Sequence, residues 1–405
     1  MTFKRAIVIV MDSVGAGELP DAGAYGDQGS DTLGNIAKQV PLQLPTLRSL
    51  GLARVANIGA PRGAMASAER TVLAERMEAA ERTERGYGRM AEASAGKDSV
   101  TGHWEMMGVV LDRPFPTFPD GFPPDVIREF SRRSGRAVVG NRTASGTQII
   151  DELGSEHMRT GALIVYTSAD SVFQIAAHEE VVPLAELYRA CGIAYELVVE
   201  ALGVGRVIAR PFVGAPGSFR RTANRRDYAM PPTSETLLDR LKALSHPVIA
   251  IGKIEDLFAG RGVTHAVHTA SDDEAMDRVS EQMDTLDRGL VFANLVDFDT
   301  QYGHRNDVAG YAANLERFDV RLAALLPRLR DDDLLIVTAD HGNDPTTPST
   351  DHAREYVPLL VTGRRVRAGV DLGTRSTFAD LGQTLAELFG VGRLKHGTSF
   401  LGEIA

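Results

Sequence analysis

Short apolar runs that alternate with helical patterns constrain the fold of this chain most. Six runs rich in Val, Ile and Leu read as buried parallel strands, at residues 6–11, 162–166, 248–251, 291–296, 334–338 and 357–361. Apolar residues at helical spacing lie between some of them, at 311–326, where Pro327 marks the end, and later at 378–388. Strands that alternate with helices predict an α/β fold, a mostly parallel sheet flanked by helices.

Charge and apolar content exclude several classes of protein. The 405 residues are 43% hydrophobic, and 44 basic against 54 acidic side chains leave a formal charge of −10, which argues against nucleic-acid binding. No apolar run approaches the ~18–20 residues of a membrane span, and the run at 6–11 is too short for a signal peptide. The single cysteine, Cys191, excludes an intrachain disulfide. We expect a cytoplasmic protein with no membrane and no nucleic-acid partner.

Two proline-rich stretches predict the boundaries of an inserted domain. Five prolines crowd into residues 114–124, and Pro231 and Pro232 stand together further on. The segment 112–227 has 14 Arg, 14 acidic residues and no Lys, so the remainder carries the whole negative charge. We therefore expect a smaller α/β domain at 112–227, inserted into a discontinuous core formed by 1–111 and 228–405.

Aspartate and histidine side chains gather where predicted strands end. Six of them stand out: Asp12, Asp299, His304, Asp340, His341 and His352. Catalytic residues of open α/β sheets lie at the carboxyl ends of strands. A lone Asp after a strand is more often a helix cap, but several such clusters together favour a metal site. Three carboxylates and three imidazoles suffice for two Mn²⁺ or Zn²⁺ ions, an arrangement common in enzymes that displace phosphate esters.

A further segment, residues 96–105, packs glycines, hydroxyls and charge around Trp104, the only tryptophan. Such a segment is suited to placing a hydroxyl nucleophile beside cations that lower its pKa. Taken alone, it would be interpreted as a Gly/Ser surface loop.

The order of these residues resembles the two-metal site of the alkaline phosphatase superfamily. Within it, the segments 12–18, 29–35, 96–105, 166–172 and 296–307 together resemble the prokaryotic phosphopentomutases. The resemblance runs from the first strand to at least His352. It implies an alkaline-phosphatase-like core with an inserted cap domain. It also implies interconversion of ribose 1-phosphate and ribose 5-phosphate, and of the 2-deoxyribose pair, through a phosphoenzyme and a pentose 1,5-bisphosphate.

The resemblance also implies roles for individual residues. One Mn²⁺ would be held by the first of two sets, Asp12, Asp340 and His341, and the other by Asp299, His304 and His352. The phosphorylated nucleophile corresponds to Ser99. The family usually has Thr at this position, so Thr101 remains a rival nucleophile.

Substrate recognition is implied for three more residues. Arg206 and Lys253 would bind the distal phosphate, and Asp170 would accept hydrogen bonds from sugar hydroxyls. A sugar bisphosphate such as glucose 1,6-bisphosphate would act as activator.

Other functions share parts of this pattern. A phosphatase, a phosphodiesterase or a cofactor-independent phosphoglycerate mutase of the same superfamily would have the same metal residues. A non-catalytic metal- or nucleotide-binding protein is the alternative from a different class. The intact set of six ligands together with a hydroxyl argues against it.

Overall fold

The computed structural model describes residues 3–59, 85–168 and 171–405. The chain divides into two compact units, one formed by Met1–Arg113 with Pro232–Ala405 and the other by Pro114–Pro231. The second unit begins two residues and ends four residues after the predicted insert, 112–227. Each unit has a sheet of its own, and the strands and helices are numbered below in chain order.

The first unit has an eight-stranded sheet in the order β10-β9-β11-β1-β12-β13-β2-β14. Its strands are β1 (Arg5–Met11), β2 (Gly86–Met90), β9 (Val248–Ile251), β10 (His265–Val267), β11 (Gly289–Leu295), β12 (Asp333–Thr338), β13 (Val357–Thr362) and β14 (Val370–Arg375). The five strands from β10 to β12 run parallel, and β1, β9, β11 and β12 are buried along their whole length. The α/β fold with a mostly parallel sheet is thus confirmed.

The helices of this unit in the described ranges are α1 (Ala22–Tyr25), α2 (Thr32–Gln39), α3 (Pro45–Ser49), α4 (Leu52–Val55), α5 (Ser99–Met106), α9 (Leu237–Ala243), α10 (Ile254–Leu257), α11 (Asp272–Thr285), α12 (Val308–Leu325), α13 (Ala379–Phe389) and α14 (Leu401–Ile404). The helices predicted at 311–326 and 378–388 correspond to α12 and α13. Four of the five apolar residues that predicted α12, at 315, 318, 322 and 325, are buried in it, as helical periodicity requires, whereas Leu326 is half-buried and follows the end of the helix.

The prediction that residues 357–361 form a parallel strand is wrong. Strand β13 runs antiparallel to both of its neighbours, β12 and β2. An apolar run reports burial on both faces of a sheet and carries no information about strand direction. Residues 339–356 join β12 to β13 without a helix, so no helical crossover returns the chain to a parallel position.

The second unit has a six-stranded sheet in the order β3-β4-β5-β6-β7, with β8 paired to β6. Its elements are β3 (Val138–Thr143), β4 (Leu163–Thr167), β5 (Val172–His178), β6 (Arg206–Val213), β7 (Arg220–Arg221), β8 (Arg226–Ala229), α6 (Pro124–Ser134), α7 (Gly146–Thr160) and α8 (Leu184–Ala194), which continues as a π-helical turn at Tyr195–Glu200. Strand β4, predicted to be parallel, is parallel to β3 but antiparallel to β5.

A buried ion pair joins the start of β1 to the start of β12. Arg5 Nε and Nη2 donate to Asp333 Oδ1 and Oδ2 at 2.8 and 2.6 Å. Arg5 Nη1 donates to the carbonyl oxygens of Met283 and Leu286, at the end of α11. Both members of the pair are almost fully buried, so each charge depends on the other for its solvation.

Replacement of Arg5 by Met should lower the free energy of unfolding by about 3–5 kcal/mol, because Asp333 would remain buried without a counter-charge. Urea unfolding followed by circular dichroism measures this change. Lys4→Met is the matched control, since the Lys4 side chain that pairs with Asp332 is 66% exposed, and we expect a loss below about 1 kcal/mol. Equal losses for the two variants would contradict the structural role of Arg5.

Candidate active site

The carboxyl ends of three adjacent strands bring the predicted ligands together. Asp12 follows β1 directly, Asp340 and His341 follow β12, and Asp299 lies in the π-helical turn Phe298–Tyr302 after β11. Since β1 lies between β11 and β12 in parallel register, these strand ends are neighbours. His304 lies in the 3₁₀ turn Gly303–Arg305, and His352 in the loop before β13.

The first ligand group contains Asp12, Asp340 and His341, all of them buried, with one donor atom of each within 4.8 Å of the others. His341 Nε2 lies 3.4 Å from Asp12 Oδ1 and 3.5 Å from Asp340 Oδ2. The backbone of Ser13 is left-handed, with φ of 77°, and its N–H donates to Asp340 Oδ1 at 3.0 Å. This bond orients the Asp340 carboxylate within the first group.

The second ligand group contains Asp299, His304 and His352 under the same 4.8 Å limit. Asp299 Oδ2 lies 3.2 Å from His304 Nε2, and Asp299 Oδ1 lies 3.5 Å from His352 Nε2. The rings of His352 and His341 have centroids 4.2 Å apart. The two groups are therefore neighbours at one site.

The donor chemistry of both groups fits divalent cations. Burial raises the pKa of Asp340, but His341 and His103 outweigh burial and hold this pKa below its ordinary value. Burial likewise opposes ionisation of Asp299, but the hydrogen bond with His304 and the neighbouring imidazoles lower its pKa. Ionised carboxylates beside imidazole nitrogens are ligands that Mn²⁺ and Zn²⁺ accept.

The Ser99 hydroxyl faces the first ligand group. Ser99 is the first residue of α5, and its Oγ lies 3.1 Å from His341 Nε2 and 3.5 Å from Asp12 Oδ1. The Thr101 hydroxyl instead donates to Asp98 Oδ2 at 2.6 Å, and the Thr101 N–H donates to Asp98 Oδ1. Thr101 is thus held in the cap of α5, whereas Ser99 lies against the ligands.

Three residues that the sequence analysis did not single out support this group. Gly102 allows α5 to approach, because a Cβ there would lie 2.2 Å from the Asp340 carbonyl oxygen. His103 Nδ1 lies 3.1 Å from Asp340 Oδ2, and Asn294 Nδ2 donates to Asp12 Oδ2 at 3.1 Å. An asparagine within an apolar strand, and a histidine one helical turn after Ser99, were the available sequence signals.

The turn that carries Asp299 is held by a reciprocal pair of hydrogen bonds. Asp272 N–H donates to Asp297 Oδ2 and Asp297 N–H donates to Asp272 Oδ1, both at 2.9 Å. Asn314 Nδ2 of α12 donates to Asp272 Oδ2 at 2.7 Å, and Asn343 Nδ2 donates to Asp299 Oδ1 at 3.1 Å. The start of α11 and the end of β11 are thereby joined beside the second group.

Arg354 is a buried residue with several polar partners, and the sequence did not predict its role. Its guanidinium pairs with Asp21 and Glu92 and donates to the carbonyl oxygens of Ser94 and Gly96. These contacts hold the segment that leads into α5. Arg354 follows His352 by two residues, so one short loop carries both a ligand and this support.

The structure describes two of the three predicted substrate residues, one in each unit. Lys253 Nζ lies 3.7 Å from Asp12 Oδ2, at the carboxyl end of β9. Arg206 is the half-buried first residue of β6 in the insert. Asp170 lies outside the described residues. Among the described residues of the first unit, Lys253 is therefore the predicted substrate residue that lies beside the first ligand group.

Comparisons with known proteins agree with this geometry. The model of the metalloenzyme superfamily matches residues 4–393. A phosphopentomutase from Caldanaerobacter subterraneus subsp. tengcongensis is 54% identical over 401 residues, which are 99% of this chain and 98% of that protein. One from Acetivibrio thermocellus is 53% identical over 402 residues, which are 99% and 100%. A phosphoglycerate mutase structure from Leishmania mexicana is similar in fold, with a TM-score of 0.50 at 13% identity over 98% of this chain and 97% of that one.

The fold and the paired ligand groups, together with the family match, define a member of the metalloenzyme superfamily that binds divalent metal. Within that superfamily, the chain belongs to the phosphopentomutase family. In the described ranges, no helix has the length and apolar character needed to cross a membrane.

Replacement of Asp340 by Asn should weaken metal binding at the first ligand group, because a neutral amide is a weaker ligand than a carboxylate. We expect the affinity of the first group for metal to fall by more than about a hundredfold. Metal content after dialysis, measured by mass spectrometry, tests this. The control is Asp380→Asn, which removes a buried carboxylate that pairs with Arg375 outside both groups. Full metal content in Asp340→Asn would refute the ligand role.

Asp272 should give stability a distinct pH dependence. Burial raises its pKa to about 7, against the hydrogen bonds from Asp297 and Asn314. The pKa of an aspartate in the unfolded chain is about 4, so the folded protein binds this proton more tightly than the unfolded chain does. Protonation of Asp272 therefore stabilises the folded protein, and this stabilisation is fully present below a pH of about 4. The contribution is lost as the pH rises through about 7.

The measurement is urea unfolding of the wild type and of Asp272→Asn at a series of pH values. The wild-type stability minus that of the variant should fall between pH values of about 4 and 7, then level off. A difference that stays constant across this range would mean that Asp272 titrates normally in the folded protein.

Proposed function

We propose that this chain interconverts ribose 1-phosphate and ribose 5-phosphate, together with the 2-deoxyribose pair. One observation carries the proposal, the Ser99 hydroxyl placed against paired metal-ligand groups in a chain of the phosphopentomutase family. A hydroxyl in this position is suited to take and return a phosphoryl group.

The resident cations in this proposal are two Mn²⁺ ions. Asp12, Asp340 and His341 would hold one, and the second group the other, since oxygen and nitrogen donors suit Mn²⁺. When bound, the two cations would neutralise charge on the phosphoryl oxygens and lower the pKa of the Ser99 hydroxyl.

The proposed reaction is a phosphoryl shuttle through Ser99. The C1 hydroxyl of ribose 5-phosphate attacks phosphoserine, so the bond from phosphorus to Ser99 Oγ breaks as the bond to C1 oxygen forms. The hydroxyl proton is released, and the product is ribose 1,5-bisphosphate. Ser99 Oγ then takes the phosphoryl group from C5, whose oxygen takes up a proton, and ribose 1-phosphate leaves. Glucose 1,6-bisphosphate would prime the enzyme by transferring one phosphoryl group to the unmodified Ser99 hydroxyl, and glucose monophosphate would leave with the hydroxyl proton on its freed oxygen.

The chain's own groups position these reactants. Ser99 opens α5, so a phosphoryl group on its oxygen would lie at the positive end of the helix dipole. Asn294 holds one oxygen of Asp12, which supports the orientation of the first group toward Ser99. Lys253, beside Asp12, supplies a cation for a substrate phosphate. We assign Arg206 to the distal phosphate and Asp170 to the sugar hydroxyls, which makes sugar-phosphate binding the role of the insert.

The function is tested by phosphorus NMR of the Mn²⁺-loaded protein with ribose 5-phosphate and a trace of glucose 1,6-bisphosphate. A growing ribose 1-phosphate signal without inorganic phosphate is the expected result. Release of inorganic phosphate instead would identify a hydrolase and overturn the proposed mutase activity.

Two variants test the nucleophile in the same assay. Ser99→Ala should lower turnover by roughly 10⁴-fold or more, with metal content retained. Thr101→Val removes only the hydroxyl bond to Asp98 in the helix cap, so turnover should stay within about threefold of the wild type. Phosphopeptide mapping should place the phosphate on Ser99, and phosphate on Thr101 would reverse the assignment.

A further inference from the structure

The insert contains a buried hydroxyl without a hydrogen-bond partner. Tyr166, near the end of β4, is fully buried, and its Oη has no partner among the described residues. Burial raises the pKa of Tyr166 in spite of three nearby arginines, so the hydroxyl keeps its proton and can donate it. A buried donor without a partner costs free energy, and proteins pair nearly all such groups. The unpaired hydroxyl therefore points to a ligand.

The N-terminus of a long helix lies at the same place. Helix α7 has 15 residues and begins at Gly146, where a Cβ would lie only 2.7 Å from Tyr166 Oη. The preceding residue, Ser145, makes no side-chain capping bond, and its hydroxyl lies 3.2 Å from Thr147 Oγ1. The short distance from this Cβ position shows that the Tyr166 hydroxyl lies against the first residue of α7. Such helix ends attract anions.

Arginines supply positive charge around this hydroxyl. Arg221 Nη1 lies 3.6 Å from the same Cβ position on Gly146. Arg210, on β6, donates through Nε to Gln174 Oε1 at 2.9 Å, and Gln174 is the cross-strand neighbour of Tyr166. Burial and the charges of Arg225 and Arg221 lower the pKa of Arg210. Guanidinium groups crowded in this way repel one another unless an anion lies between them.

The neighbouring carboxylate does not balance this charge. Asp227 faces Arg210, but it already forms a two-bond pair with Arg225, at 2.7 and 2.6 Å. Among the residues that the structure describes, neither Arg210 nor Arg221 forms an ion pair with a carboxylate.

We propose that Tyr166 Oη, the N-terminus of α7, Arg210 and Arg221 form a binding site for a phosphate dianion. The guanidinium fork suits phosphate oxygens, and the phenol and helix N–H groups donate to the same anion. Arg206, which we assign to the substrate, precedes Arg210 by four residues on β6, roughly 13 Å along an extended strand. The site is therefore additional to that assignment, and it does not depend on the mutase reaction.

The test is calorimetric titration of the metal-free full-length protein with inorganic phosphate and, separately, with ribose 5-phosphate. Without metal, the ligand groups at Ser99 no longer attract the anion. We expect saturable binding that Arg210→Gln and Tyr166→Phe each weaken by at least about tenfold, the scale of a lost hydrogen bond to a charged group. Arg220→Gln, the neighbouring arginine on β7, should bind as the wild type does.

Unchanged binding in both Arg210→Gln and Tyr166→Phe would overturn the site, as would the absence of any binding to the wild type. Tyr166→Phe removes a single oxygen, so it keeps the test decisive if Arg210→Gln fails to fold. Equal affinity for the two probes supports free phosphate as the ligand, and tighter binding of ribose 5-phosphate supports a phosphosugar. A chain that binds phosphate through Tyr166 but lacks mutase turnover would overturn only the proposed function.

Discussion

Parallel pairing of β1 with β11 on one side and β12 on the other sets the position of the candidate active site. The pairing aligns three carboxyl ends, from which Asp12, Asp299 and Asp340 extend. The buried pair of Arg5 and Asp333 joins β1 to β12 at the opposite end of the strands. A shift of one strand relative to its neighbour would separate the ligand groups, because side-chain direction alternates along each strand. The strand pairing that stabilises the sheet therefore also sets the geometry of the site.

The second constraint is concentrated negative charge. Three buried carboxylates occupy the two neighbouring ligand groups, and they are tolerable only where positive charge and donors surround them. Imidazoles, the amide of Asn294 and the ammonium of Lys253 supply part of this compensation. Bound divalent cations supply the remainder. Cations at these groups would also stabilise the alkoxide of the nearby Ser99 hydroxyl, which is the nucleophile in the proposed reaction.

Local patterns predicted much of this architecture. Apolar periodicity located α12, α13 and the central strands, because burial of one helix face or of both strand faces leaves a direct imprint on residue order. The order of apolar residues does not record strand direction, so β13 was predicted to be parallel although it is antiparallel. The candidate ligands were predicted because several clusters of Asp and His lie at or soon after strand ends, and turns alone do not account for so many of them. Arg354 was missed, because its importance lies in partners far away along the chain, such as Glu92.

The sequence by itself determined the α/β class, the strand ends and the kinds of donor atoms available, since each is encoded within a few neighbouring residues. The tertiary structure decided which donors share a group, because Asp12 and Asp340 are separated by more than 300 residues and meet only through sheet pairing. It also decided that Ser99 faces the ligands while Thr101 caps its helix. The unpaired hydroxyl of Tyr166 likewise exists only in the folded insert, where β4, α7 and the arginines of β6 and β7 converge. Such contacts between distant segments depend on packing, which no local pattern records.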